Sequence, residues 1–289
     1  MTTAQAALSG ILVGGLYALM AIGLSLTWGM LKIINLAHFG LILLGAYLTY
    51  QTTTSWGLDP LLTLLVSAPL LFVASALLYW VFDKLAISEL NSLLVSFGVL
   101  VMTIQATSNI WSEDFRRITA DRNRYATQSV RIGDFVFPVP TLLAFAAAVV
   151  LTVAIHVMLR RTFVGRALRA FAEDRPVAAA FGIDHRRLGA LLAGLAGASA
   201  AVAGLLWALS NAITPSTPFA WFGIVFAVVI LGGIGNVAGT LLAGVLIGTL
   251  SSVVSVVWSA AAAPLALFSA IILALLFRPQ GLLPTGDAR

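Results

Sequence analysis

Of 289 residues, 60% are apolar and 9% charged, and the mean hydropathy is +1.03, a composition outside that of soluble globular domains that reads as an all-α, polytopic membrane protein. The net charge of +5 sits mainly on arginines flanking apolar spans, where the positive-inside rule accounts for it, so the basic balance gives no reason to expect a nucleic-acid partner. The absence of cysteine excludes disulfides and thiolate metal sites.

In chain order, Met1 to Gly10 carries no Lys or Arg, unlike the start of a cleaved signal peptide, so the first apolar span is expected to be retained. That span, Leu8 to Trp28, contains Gly14, Gly15 and Gly23, small residues that allow close helix approach. Lys32 follows it, which favours an outside N-terminus. Gly29 to Gly40, with Asn35 and His38, is too polar for a lipid-facing helix and predicts a broken or re-entrant element, tolerated only where protein or a water-filled path covers it. Further spans are expected over Leu41 to Thr52, Leu61 to Phe82 and Leu90 to Ile110. Trp111 to Phe137, with five arginines and four acids, suits an outside loop. Within it, the alternation of Ser129 to Ile132, then Gly133-Asp134 and Phe135 to Phe137, predicts a short hairpin. Pro138 and Pro140 open span five, Leu142 to Leu159.

Arg160 to Arg187 is the one long polar segment that is both basic and helically patterned; seven arginines against Glu173, Asp174 and Asp184 leave +4, which places it in the cytoplasm. Phe163, Ala167, Ala170 and Phe171 form a narrow apolar stripe, with Arg166, Arg169 and Glu173 on the polar side. Asp174 is suited to cap a second short helix, with Pro176 in its first turn and Gly182 just past its last. Two short helices follow, either a solvated topology-setting loop or a docking surface for a cytoplasmic partner.

Span six, Leu188 to Leu209, is capped by Asp184 and studded with Gly189, Gly194, Gly197 and Gly204 for close packing. After an outside loop at Ser210 to Pro218, Phe219 to Trp258 holds about forty uncharged residues, too long for one span. Gly232, Gly233, Gly235 and Asn236 mark the break between a descending helix and an ascending one that ends near Val257. Pro264 to Phe277 is a last short span, stopped by Arg278-Pro279-Gln280-Gly281. The whole is one transmembrane domain over 1–289, of about eight spans plus a short or broken helix. The breaks at Asn35 and Asn236, each followed by glycines at Gly40 and Gly45 or Gly239 and Gly244, suggest an inverted repeat with the substrate path at its interface.

Neither Lys32 nor Lys84 follows a glycine, so there is no P-loop, and neither a Gly-x-Ser-x-Gly nor a His-Glu-x-x-His occurs. All eleven acids lie at or beyond span ends, which leaves a proton-coupled carrier only His38, better read as a hydrogen-bonded structural imidazole. Neither a filter motif nor a charged ring marks a channel. A path without an engine, joined to a structured basic helix pair inside, is what a permease subunit of an ABC transporter should look like.

Four motifs carry a family resemblance. Gly15-Leu16-Tyr17-Ala18-Leu19-Met20-Ala21-Ile22-Gly23-Leu24 followed by Ile34-Asn35-Leu36-Ala37-His38 closely resembles the start of the branched-chain amino acid permease family. So do Gly165-Arg166-Ala167-Leu168-Arg169-Ala170 with Ala178 to Ile183, Val229 to Asn236 with Gly239, and Arg278-Pro279-Gln280-Gly281-Leu282. Length and opening motif resemble the shorter membrane subunit; Phe39-Gly40-Leu41-Ile42 departs from relatives that place a glycine straight after the histidine. The resemblance implies a bacterial cytoplasmic-membrane importer of two permease subunits (paralogue or self), two cytoplasmic ABC ATPase subunits and an external binding protein, with no cofactor bound by this chain. The basic helix pair gives the candidate ATPase-coupling residues Phe163, Gly165, Arg166, Arg169, Ala170, Pro176, Ala178 and Gly182, and the two breaks give the candidate path residues Asn35, His38, Gly40, Gly232, Gly233, Gly235 and Asn236. The expected ligand is an aliphatic amino acid, whose carboxylate and ammonium the helix ends at the breaks can meet; urea, short amides and carboxylates use the same architecture.

Overall fold

The computed structural model of the chain describes residues 2–278 and 281–283; Met1, and Pro279 and Gln280 of the terminal motif, lie outside the described residues. Helices run in the order α1 (Thr3–Leu31), α2 (Ala37–Trp56), a 3₁₀ turn (Pro60–Thr63), α3 (Leu64–Lys84) and α4 (Glu89–Trp111). A hairpin of β1 (Ser129–Ile132) and β2 (Phe135–Pro138) precedes α5 (Val139–Arg161), α6 (Phe163–Glu173) and α7 (Arg175–Ala180). The chain then forms α8 (His185–Ser210), α9 (Thr217–Gly232), α10 (Val237–Val257) and α11 (Ala262–Phe277).

Among the described residues, six helices are long and apolar enough to cross a membrane: α1, the 3₁₀ turn with α3, α4, α5, α8 and α10. The count of eight is not reached on that criterion. α2 is 20 residues long but is diluted by Thr49, Thr52, Thr53 and Thr54. α9 and α11 have 16 residues each, about 24 Å at 1.5 Å per residue, short of a hydrocarbon core of roughly 30 Å.

α1 and α8 form the centre, with 61% and 67% of their apolar windows buried, while α3, α4 and α5 turn most of their surface outward. Lipid supplies no hydrophobic drive between helices, so the core is built from close backbone approach. On α1, Gly10 and Gly14 face Gly248 and Gly244 of α10, and a Cβ at any of the four would run into the opposite backbone. The same geometry joins α8 to its neighbours: Gly189 receives Tyr79, Gly194 receives Phe72, Gly197 lies on the Leu71 carbonyl and Gly204 on that of Ile42. The close-packing role read from Gly14 and from the four glycines of α8 therefore holds, and Gly10 and Gly248 extend it.

At one end of the bundle, the predicted hairpin forms with Ile132 opposite Phe135, so Gly133-Asp134 is a two-residue turn. Gln5 at the start of α1 donates to the Val136 carbonyl (2.8 Å), which puts the N-terminal end of α1 beside that loop. Arg116 bridges Ile213, Asn123 donates to the Leu209 carbonyl (3.1 Å), and Tyr125 and Arg124 converge on Asp59. At the opposite end, Met30, Leu31, Phe82, Leu168, Phe171 and Ala178 share one packed cluster that fastens α6 and α7 to the bundle.

Candidate functional site

The first break is shorter than Gly29 to Gly40. Helix α1 continues to Leu31 and ends on Lys32 in the left-handed conformation (φ 56°), and the non-helical stretch is residues 32–36. His38 and Gly40 already belong to α2. Two serines one turn apart on α4 satisfy the open backbone: Ser92 Oγ accepts from Ile34 N–H (3.1 Å), while Ser96 Oγ accepts from Leu36 N–H (2.9 Å) and donates to the Ile34 carbonyl (3.0 Å). This is the protein cover that irregular backbone in a membrane requires. Ser92 and Ser96 escape a reading of span four that singles out only Gln105; the signal was Ser-x-x-x-Ser, which places two hydroxyls on one helical face.

His38 is buried with Nε2 3.0 Å from the Met20 carbonyl, so that nitrogen carries the proton and donates. Its ring fills a notch that exists because Gly23 has no side chain. This geometry matches the structural imidazole. Asn35 is 5% exposed, and its Oδ1 has no hydrogen-bond partner among the described residues. Gly40 packs against Thr103 of α4.

The second break, residues 233–236, forms where the glycines predict it, with Gly233 and Gly235 at φ 94° and 85°. Asn236 caps α10 by accepting from Gly239 N–H (2.9 Å) and donates to the Leu283 carbonyl (2.8 Å). Gly232 lies directly on Gly239, an approach open only to glycine. Asn35 has no matching role: the residue before α2 is Leu36, with no side-chain cap. The likeness of the two breaks is thus one of position, not of hydrogen bonding.

The second break packs on the last turns of α1, which lead into the first. Gly29 lies against Gly235, and Ser25 Oγ accepts from Gly235 N–H (3.1 Å) and from Thr240 Oγ1 (3.2 Å). Both lie toward the end of the bundle that carries α6 and α7, since Val237 shares the cluster of Met30, Leu168 and Phe171. Asn35, His38, Gly40, Gly232 and Gly233 are buried in this conformation, and Gly235 and Asn236 are half-buried.

The polar segment folds as two capped helices. Thr162 accepts from Gly165 N–H (3.0 Å) to start α6, Asp174 accepts from Val177 N–H (3.0 Å) to start α7, and Gly182 closes it at φ 78°. The inward stripe differs from the expected one. Gly165, Ala167, Leu168 and Phe171 are buried, whereas Phe163 is 75% exposed and Ala170 is exposed too. The helix is rotated because Gly165 must sit against the Met158 and Leu159 backbone of α5, which turns Phe163 outward. Ala178 is likewise buried, so Gly165 and Ala178 contact their own domain, and Phe163, Arg166, Arg169, Ala170, Pro176 and Gly182 form the outer face. Val177 and Phe181, four residues apart and 51% and 83% exposed, lie outside the stripe expected from the sequence and add to this face. Arg186 donates to Asp83 (3.1 Å) and the His185 ring lies parallel to Phe171 at 6.2 Å, which ties this face to α3 and α8.

The pattern of the family described as "Branched-chain amino acid transport system / permease component" matches residues 6–278. Among curated relatives, the chain is 29% identical to the high-affinity branched-chain amino acid transport system permease protein BraD of Pseudomonas aeruginosa, over 96% of this chain and 95% of that one. It is 26% identical to the corresponding protein LivH of Escherichia coli K12, over 96% and 94%. Identity to a probable branched-chain amino acid transport permease protein LivH of Methanocaldococcus jannaschii is 27%, over 85% and 79%. No solved structure matches. With a bundle of membrane-length helices and a family pattern that spans nearly all of them, the chain belongs to the permease component family of branched-chain amino acid transport systems.

Proposed function

We propose that the chain is the membrane-spanning subunit of a binding-protein-dependent ABC importer that moves branched-chain or other aliphatic amino acids into the cytoplasm. The observation that carries the reading is the α6–α7 pair: its inner face is fixed to the bundle, and its outer face offers Phe163, Val177 and Phe181 beside Arg166 and Arg169. Large apolar side chains ringed by arginines make an interface, not a solvated loop. Its partners are a second permease subunit, two cytoplasmic ATPase subunits and an external binding protein in a bacterial cytoplasmic membrane.

In this account α1 to α5, α8, α10 and α11 are the eight spans of one domain and α9 is the short additional helix; α1–α2 and α9–α10 both run to a break at the α6–α7 end and return, a repeat in the same sense and not an inverted one. Closure of the ATPase dimer pushes α6 and α7, and the bundle rocks as a body about the glycine contacts at the two breaks. The breaks then act as the inner gate, with Asn35, His38, Gly40 and Gly232 to Asn236 around it. The named relatives support the amino-acid ligand. Calorimetric titration of the cognate binding protein with leucine, valine, urea and aromatic acids tests that choice. Tight binding of leucine and valine is expected; tight binding of urea without leucine would overturn the ligand and leave the permease assignment standing.

A further inference from the structure

A cavity of about 350 Å³ opens at the cytoplasmic end of the bundle, where the last turns of α1 and α3 meet the start of α4. Its size falls within the roughly 300–1,000 Å³ of small-molecule sites. Leu31, Ile33, Tyr79, Phe82 and Ile87 supply apolar walls. A niche behind it shares the first four of these and adds Asn35 and Ser75. Both are more than nine-tenths buried, yet Asn35 Oδ1 and Ser75 Oγ have no hydrogen-bond partner among the described residues. Buried polar atoms are nearly always satisfied, and this niche, of about 10 Å³, takes an occupant no larger than one water, so a polar lining continues inward from the cavity.

The charges on the rim narrow the class. Lys32 lines the opening and has no ion-pair partner among the described residues. Asp83 is already held by Arg186 (3.1 Å) and approached by His185 (3.7 Å). Glu89 accepts one hydrogen bond from the Trp28 indole N–H (2.9 Å), which leaves its carboxylate further acceptor capacity. One unpaired cation and one available carboxylate beside an aliphatic wall fit a small zwitterion better than an anion or a cation.

We propose that this cavity binds a small aliphatic α-amino acid from the cytoplasmic side and that its occupancy slows the transport cycle. The carboxylate meets Lys32, the ammonium meets Glu89, and the side chain lies on Leu31, Ile33 and Phe82. The choice of ligand rests on the amino-acid import reading above. The link to the cycle rests on Asp83, whose partners Arg186 and His185 open α8, with His185 against Phe171 of the coupling helix α6. An occupant that fixes the ends of α3 and α4 favours one position of α6 and so biases the two-state equilibrium of the bundle.

The test uses proteoliposomes of the complete importer with ATP enclosed in the lumen, with and without enclosed L-leucine. Lumenal leucine is expected to slow binding-protein-stimulated ATP hydrolysis by about fivefold or more, the scale of ordinary allosteric coupling. Lys32→Gly should lose this slowing, and Glu89→Gln should lose it while hydrolysis without lumenal leucine stays near the wild-type rate. The first is safe for folding because a φ of 56° suits glycine, and the second keeps an acceptor for Trp28. As an independent readout, Ile87→Cys supplies the only thiol in a chain without cysteine, and L-leucine should protect it from a water-soluble thiol reagent where urea and L-glutamate do not. Equal slowing in wild type and variants, no slowing in the wild type, or labelling that leucine leaves unchanged would each overturn the proposal. Failure of external leucine uptake would instead sink the import reading, and the protection assay would still decide the cavity.

Discussion

Phe181→Asp and Ala170→Glu are each expected to uncouple ATP hydrolysis from uptake while the subunit still inserts and accumulates. Both positions lie on the outer face of α6 and α7, and Phe181, at 83% exposed, is the most exposed aromatic there. An aromatic anchor in an interface centre is worth about 2 kcal/mol or more, roughly 30-fold in affinity, and a carboxylate in its place adds a desolvation cost. Ala178→Glu is the contrasting control: at 4% exposed it puts a charge into the cluster of Leu168 and Phe171, so the subunit itself should fail to accumulate. Co-purification of the ATPase with each variant, followed by ATPase and uptake assays, reads the difference. Full coupling in both outer-face variants would move the docking surface elsewhere.

A second large effect is expected from Gly29→Val. The new side chain would be driven into the backbone of Gly235, where neither chain has a flexible end that can yield. Overpacking of this kind costs about 1–3 kcal/mol and more where backbone must shift. The assembled complex should melt well below the wild type in detergent and lose uptake. Ser96→Ala gives the graded comparison, since it strips cover from Leu36 N–H and the Ile34 carbonyl, at about 1–3 kcal/mol for each buried group left bare. Wild-type melting and uptake in Gly29→Val would show that the end of α1 does not bear on the second break.

What could be read from the sequence was whatever is local. Asp174 and Asp184 cap the helices predicted for them, Gly133-Asp134 makes the turn between Ile132 and Phe135, and the glycines at 233 and 235 break the long uncharged stretch. In each case the residue type and its immediate neighbours set the backbone. The rotation of α6 was not legible, because it depends on Gly165 nesting against α5, a contact between separate helices. For the same reason Ala178 faces inward while Val177 beside it faces out. The extent of the first break was overestimated since Asn35, His38 and Gly40 were read as one polar run, whereas His38 finds its acceptor on Met20 and stays helical. Polarity in a span shows that a partner is needed; it does not say which helix supplies it.

Reconstitution tests most directly whether this chain is a path driven by separate ATPase subunits. The chain is placed in liposomes alone, then with a second permease subunit, the ATPase pair and the binding protein, and uptake of labelled L-leucine is followed with and without lumenal ATP. Uptake is predicted only in the complete assembly with ATP. Accumulation by the chain alone under an ion gradient, or equilibration without any energy source, would contradict the account.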